Sequence, residues 1–245
     1  METLTLIYSS VVWLFAGFVN GITSFGGNMV AVPLLSLVID PRDAIIFACL
    51  TGTGITVSLA LLYRSALPKL EFALVCLSCG AGVIPGMWIL KVASARHLLF
   101  LAGIILTVFL LWQFLGRRLN SEKRIPIWAV VPMGVLSGIL LGSTSMGGPV
   151  MAMYAVLRRW TKEETIATLN TMAGLSMLFL MYLQWRDGLY SPAILEGATW
   201  GLPCCILGVL LSVPVLRRVN AQLFRKGLLA MLAFSAVMLF YRSLA

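Results

Sequence analysis

Two glycine pairs, one in each half of the chain, mark the residues that could bind a ligand. Gly26-Gly27 and Gly147-Gly148 each follow small hydroxyl residues, and each precedes a short apolar run. Glycine lets the backbone approach a ligand closely and adopt dihedral angles that other residues avoid. A helix that begins after such a pair has N–H groups without intrahelical acceptors and about half a positive charge at that end. Two such helix ends directed at one place would form an anion-binding site without Lys or Arg.

Polar residues beside and beyond the glycine pairs could complete this site. Asn28 is a residue type preferred at a helix N-cap, and Pro149 suits the first turn of a helix. Thr51 and Asn170 interrupt apolar segments, where they either line a substrate path or bond to a neighbouring helix, as does Asn20. The candidate substrate-binding residues are Ser24, Gly26, Gly27, Asn28, Thr51, Ser145, Gly147, Gly148, Pro149 and Asn170.

A Gly-x3-Gly step precedes each pair, at Gly17 and Gly21 and again at Gly134 and Gly138. Such steps bring two helices close together in a membrane, because small residues let the backbones approach. We therefore assign these four glycines to helix packing and only the later part of each motif to ligand binding.

The composition places these motifs in a membrane. The chain has 245 residues, of which 60% are hydrophobic and only 11% are charged, and its mean hydropathy is +0.98. The net charge of +9 does not indicate nucleic acid, because the Lys and Arg residues stand in short gaps between apolar segments. The sequence contains no nucleotide-binding P-loop and no nucleophile–base pattern, so neither direct use of ATP nor an enzyme is expected. Cys76-x-x-Cys79 lies within an apolar segment and is interpreted as packing, and no metal or cofactor is expected.

Ten apolar segments must position the motifs, and together they predict an all-α, polytopic transmembrane bundle. Eight approach the roughly 20 residues that a membrane-spanning helix needs, whereas the two that follow the glycine pairs are half-helices. The segments span residues 4–24, 28–39, 43–63, 70–90, 97–116, 126–143, 149–157, 164–185, 191–214 and 226–242.

The distribution of basic residues predicts how the segments are arranged. If each half-helix counts as one crossing, most of the 18 Lys and Arg residues fall on one side of the membrane. Five crossings per half then give two inverted repeats, residues 1–120 with a broken-helix motif at 17–35 and residues 121–245 with one at 134–153. The repeats form a single membrane domain, and both termini are predicted to lie outside.

The first motif resembles the TauE/SafE sulfite-exporter family of bacterial membrane proteins. The resemblance rests on Gly-x3-Gly followed by Phe-Gly-Gly-x4-Val-Pro-Leu-Leu, which ends at Leu35. The second motif departs from it, because Pro149 follows the glycines and Met153-Tyr154 replaces the Pro-Leu pair. The resemblance implies a secondary carrier that moves sulfite, organosulfonates or related sulfur oxyanions, usually outward.

Together with this resemblance, the sequence predicts a multi-pass membrane transporter of small anions, and the resemblance implies that these contain sulfur and that the membrane is the bacterial inner membrane. Its partners would be the anionic substrate and the lipid bilayer, without nucleic acid, and a homodimer remains open. Two other classes of function also remain open: a channel-like path for small anions, and a membrane scaffold that transports nothing. The broken helices argue against a scaffold, because each break gives up backbone hydrogen bonds.

Overall fold

Ten α-helices and one short 3-10 helix make up most of the computed structural model, which describes residues 3–23, 25–63, 69–115, 125–216 and 221–244. No strand occurs in these ranges, so the predicted all-α class is confirmed. The 3-10 helix, Ile127–Ala129, leads directly into α6. In chain order the helices are α1 (Thr3–Thr23), α2 (Gly27–Leu35), α3 (Pro41–Tyr63), α4 (Lys69–Val92), α5 (Ala95–Leu115), α6 (Val130–Thr144), α7 (Gly148–Arg158), α8 (Lys162–Arg186), α9 (Pro192–Leu216) and α10 (Ala221–Leu244).

Seven helices are long and apolar enough to cross a membrane by length and composition, within the described part of the chain. They are α1, α3, α4, α5, α6 (together with its 3-10 turn), α8 and α9. In α10 the described apolar stretch is shorter, Leu232–Ser243. The protein is therefore a multi-pass membrane protein, as its composition predicted.

Two short helices follow the glycine pairs. Helix α2 has 9 residues and α7 has 11, which correspond to about 14 and 16 Å, roughly half of a hydrocarbon core. The sequence predicted a longer first segment, up to residue 39. Helix α2 ends earlier because the chain turns at Ser36, whose Oγ donates a hydrogen bond of 2.7 Å to the Val32 carbonyl.

Helices α3 and α8 lie at the centre of the bundle and pack against each other. Their membrane-spanning windows are 67% and 61% buried, whereas those of the other candidate spans are between 39% and 50% buried. The outer helices carry exposed apolar side chains such as Leu77, Trp88 and Leu210. Such side chains suit contact with lipid, so the two central helices can carry polar groups away from the bilayer.

Glycines bring α1 into backbone contact with α9. A Cβ at Gly17 would overlap the carbonyl oxygen of Cys205, and a Cβ at Gly208 would overlap the carbonyl oxygen of Leu14. Only glycine fits at such contacts, because any larger residue would separate the helices. The assignment of Gly17 to helix packing therefore agrees with this geometry.

The crossing of α4 and α6 repeats this arrangement. A Cβ at Gly138 would overlap the carbonyl oxygen of Cys79, and a Cβ at Gly82 would overlap that of Val135. In this geometry the counterpart of Gly17 is Gly138, one helical turn later than Gly134, the first glycine of the second Gly-x3-Gly step. The two tightest helix pairs thus share one pattern of glycine contacts, although each joins helices that are distant in sequence.

Candidate binding site at the two helix breaks

A small cavity lies where the two helix breaks meet the central helices. Its volume is about 40 Å³. A buried water needs roughly 10–15 Å³, so the cavity has room for about three waters or one small ion. The lining residues come from six helices and both breaks: Asn20, Phe25, Asn28, Gly52, Ile55, Thr56, Leu141, Ser145, Met146, Gly148, Leu169, Asn170, Ala173 and Met177.

The two short helices present their N-termini to this cavity. Asn28 is the second residue of α2 and Gly148 is the first residue of α7, and both line the cavity. None of the lining residues carries a titratable side chain. Positive potential at the cavity walls therefore comes from the two helix ends, each worth about half a charge, and from amide dipoles.

The side chain of Asn28 connects the two breaks. Its Nδ2 donates to the carbonyl oxygen of Ser145 at 3.0 Å and to that of Ala48 at 3.4 Å. Both N–H bonds of the amide are thereby used within the protein, so Asn28 holds α2 against the second break and α3. The N-cap of α2 is Gly26, so the expectation that Asn28 caps the helix is wrong: its amide reaches across to the other break.

Ser145 forms the turn of the second break. Its backbone is left-handed, with φ 59° and ψ 20°, and its N–H donates to the Leu141 carbonyl at 2.8 Å. A residue other than glycine adopts this conformation only at some energetic cost, which surrounding contacts must offset. The Ser145 hydroxyl supplies one such contact by donating to the carbonyl oxygen of Ile45 at 3.0 Å.

Asn20, on α1, offers a donor to the cavity. Its Oδ1 accepts the N–H of Gly27 at 3.1 Å and so satisfies one of the first N–H groups of α2. Its Nδ2 makes no hydrogen bond to any described residue, and Asn20 lines the cavity. From the sequence, Asn20 was noted as a polar residue within an apolar segment, but it was not among the predicted substrate-binding residues.

The structure brings together four of the ten candidate residues at the cavity wall: Asn28, Ser145, Gly148 and Asn170. Five others are described but do not line the cavity: Gly26, Gly27, Thr51, Gly147 and Pro149. Ser24 lies outside the described residues.

Two of the glycines that do not line the cavity, Gly147 and Gly27, allow close packing of the backbone. A Cβ at Gly147 would lie 2.5 Å from the Ser137 carbonyl oxygen, and one at Gly27 would lie 3.1 Å from that of Ala16. Each break can therefore fold back onto the helix that precedes it. Thr51 is fully buried on α3, and its hydroxyl has no hydrogen-bond partner in the described structure.

Sequence reasoning missed several lining residues, of which Phe25 and Met146 are the most informative. Each stands directly before a glycine pair, so their equivalent positions in the two motifs were a usable signal. Phe25 also packs its ring edge-to-face on Phe109, with ring centroids 5.7 Å apart. Gly52 and Thr56 gave no such signal, because small residues are common along membrane helices.

An ion pair fixes the opposite end of α7. The Arg158 guanidinium bonds to Glu71 at the start of α4 and donates to the Ile125 carbonyl at 3.0 Å. The Trp160 indole N–H donates to the other Glu71 oxygen at 2.8 Å. Glu71 therefore anchors the C-terminal end of the second short helix.

Comparison with known proteins assigns the family. The model of the family described as sulfite exporter TauE/SafE matches residues 10–239, nearly the whole chain. None of the curated proteins and none of the solved structures that were compared matches the chain. The family consists of membrane transporters of sulfite and related sulfur anions rather than enzymes. The chain therefore belongs to the sulfite exporter TauE/SafE family.

Proposed function

We propose that the protein is a secondary carrier that exports a small monovalent sulfur oxyanion, either bisulfite or a short organosulfonate. The observation that carries this proposal is the cavity enclosed by both helix breaks, with the N-termini of α2 and α7 at its wall. Helix N-termini bind anions through free N–H groups and the helix dipole. Members of the family transport sulfur-containing anions across the membrane, and the cavity offers a place for such an anion.

The charge of the cavity favours a monovalent anion. Two helix ends supply about one positive charge in total, and no lining side chain adds or removes charge. A dianion such as sulfate would keep about one uncompensated negative charge in a medium of low dielectric constant, which is costly. The Asn20 amide supplies a further donor for an anion oxygen.

The size and lining of the cavity favour a small anion with one less polar side. About 40 Å³ accommodates an ion of a few heavy atoms. Polar groups from Asn20, Asn28 and Ser145 share the wall with apolar ones, including the thioethers of Met146 and Met177. Polarisable sulfur and methyl groups suit the sulfur lone pair of bisulfite or the carbon chain of a sulfonate.

We further propose that the chain consists of two inverted repeats, residues 1–120 and 121–245, around this cavity. The supporting observation comes from the contacts between helices. When each helix is replaced by its counterpart in the other repeat (α1 by α6, α9 by α4), a contacting pair becomes another contacting pair. The pair α1–α9 becomes α6–α4, α3–α8 and α5–α10 map onto themselves, and α3–α9 becomes α8–α4. An exchange of this kind is what a twofold axis between the repeats would produce.

Alternating access then requires bodies that move around the cavity. The glycine contacts make α1 with α9 and α4 with α6 the tightest pairs in the bundle. We propose that each pair moves as a unit and that the short helices tilt between them. Since each pair contains one helix from each repeat, the hinges lie within the repeats and not only at the boundary between them.

Counterflow in proteoliposomes tests the proposed function. Vesicles loaded with unlabelled sulfite should transiently accumulate radiolabelled sulfite from outside, and initial rates should saturate. Methanesulfonate should compete, whereas sulfate and acetate should compete at least tenfold less well. Flux that shows neither saturation nor counterflow would indicate a channel, and the absence of flux from correctly inserted protein would indicate a scaffold.

A further inference from the structure

A groove on the outer surface between α4 and α8 combines apolar walls with a basic end. Its volume is about 430 Å³, and it shares no lining residue with the cavity at the helix breaks. The lining residues are Ile84, Met87, Trp88 and Lys91 from α4, and Phe179, Tyr182, Leu183 and Arg186 from α8, followed by Asp187.

The two helices present their side chains in the same order along the groove. On α4 the order is Ile84, Trp88, Lys91, and on α8 it begins at Phe179 and ends at Arg186. In each case seven residues, or about 10 Å, separate the first apolar residue from the basic one. Both basic residues stand in the last turn of a membrane-spanning helix, where a bilayer changes from hydrocarbon to headgroups.

The basic end keeps an excess of positive charge. Lys91 Nζ lies 2.8 Å from one oxygen of Asp187, and Arg186 Nε lies 3.0 Å from the other. Hydrogen bonds from Lys91 and then from Arg186 hold the pKa of Asp187 below its usual range, so this carboxylate is ionised at neutral pH. Two cations against one anion leave a charge of about one, and the two Nη groups of Arg186 have no partner among the described residues.

We propose that this groove binds a phospholipid with an anionic headgroup, its phosphate at Lys91 and Arg186 and an acyl chain along the apolar walls. The charge at the end of the groove matches a headgroup that carries net negative charge, and basic pockets between membrane helices are suited to such lipids. Trp88 and Tyr182 are 64% and 55% exposed. Their amphipathic rings favour the depth at which headgroup and acyl chain join.

Native mass spectrometry of the purified protein, titrated with lipid in a neutral detergent, tests this site. Phosphatidylglycerol and phosphatidylcholine with identical acyl chains serve as probes. The wild type should retain phosphatidylglycerol more tightly than phosphatidylcholine. Arg186→Gln should weaken retention of phosphatidylglycerol about fivefold, the factor expected for one basic residue near a lipid surface, and should leave phosphatidylcholine unchanged.

Two further variants control this measurement. Arg96, at the start of α5, is exposed and lies outside the groove, so Arg96→Gln removes the same charge without changing the site. Asp187→Asn should act in the opposite direction and tighten the binding of phosphatidylglycerol, because it removes the one carboxylate among the described residues that line the groove. Equal retention of the two lipids by the wild type, or an equal loss in Arg96→Gln, would overturn the proposal. A change of oligomeric state in Arg186→Gln, measured by light scattering, would instead make the groove a contact between subunits.

Discussion

Replacing Asn20 by Asp tests whether the cavity holds an anion, because the substitution adds charge and hardly changes shape. In the wild type, Asn20 Oδ1 accepts the Gly27 N–H at 3.1 Å and Nδ2 has no partner among the described residues. In Asn20→Asp one oxygen keeps the bond to Gly27, and the second replaces the donor by a negatively charged acceptor. The positive end of α2 offsets part of the cost of the buried carboxylate, so the fold should persist.

The expected effect on anion binding is large. Two unit charges about 4 Å apart repel each other by about 4 kcal/mol at an effective dielectric constant of about 20. A loss of about 4 kcal/mol corresponds to roughly a thousandfold weaker binding. Asn20→Ala removes the donor and also the acceptor of the Gly27 N–H without adding charge, and each lost hydrogen bond costs about 1 kcal/mol or somewhat more. Its affinity should therefore fall by only about one order of magnitude.

The assay is saturable sulfite counterflow by the two variants and the wild type, reconstituted in equal amounts. The KM should rise in the order wild type, Asn20→Ala, Asn20→Asp, while thermal unfolding in detergent confirms that all three are folded. An Asn20→Asp variant with wild-type KM would refute anion binding at this cavity. An Asn20→Ala variant that transports worse than Asn20→Asp would show that Asn20 acts only through its hydrogen bond from the Gly27 N–H.

Three other predictions follow from the same geometry. A Cβ at Gly148 would lie 3.0 Å from the Cβ of Phe25, so Gly148→Ala should lower transport at least tenfold, whereas Gly80→Ala, where a Cβ meets nothing within 4 Å, should transport like the wild type. Asn28→Leu breaks two buried hydrogen bonds and leaves the Ser145 carbonyl without its side-chain donor, so it should destabilise the protein by about 2–4 kcal/mol in reversible unfolding; an unchanged stability would contradict its role as a connection between the breaks. Glu71→Gln removes the partner of a largely buried guanidinium and should cost about 2–4 kcal/mol, between the values for exposed and buried pairs. The same unfolding measurement tests the predicted loss of stability in Glu71→Gln. The KM of sulfite counterflow by the folded variant should equal that of the wild type.

The sequence was sufficient to predict the helices and the places where two of them break. Apolar length set the spans, and paired glycines set the breaks, because both signals are local. The start of α2 at Gly27 and that of α7 at Gly148 differ by only one residue from the predicted starts. The resemblance of the first motif to a family pattern also led to the family to which the whole chain belongs.

The orientation of the polar side chains was not predictable in the same way. Asn28 and Asn20 look alike in the sequence, yet Asn28 uses both amide N–H bonds within the protein, whereas the Asn20 Nδ2 has no acceptor among the described residues. That difference depends on carbonyl groups of α3 and of the second break, which are distant in the chain. Thr56 likewise reaches the cavity only because α3 lies at the centre of the bundle.

The contact between α1 and α9 also constrains how the protein is made. Helix α1 is synthesised well before α9, but α9 supplies the surface onto which Gly17 fits. During synthesis the glycine face of α1 must therefore be covered by lipid or by an insertase until α9 has been inserted. A fragment that contains α1 but ends before α9 would lack the helix surface on which this glycine face packs. Such truncated products should be recognised by membrane quality-control proteases.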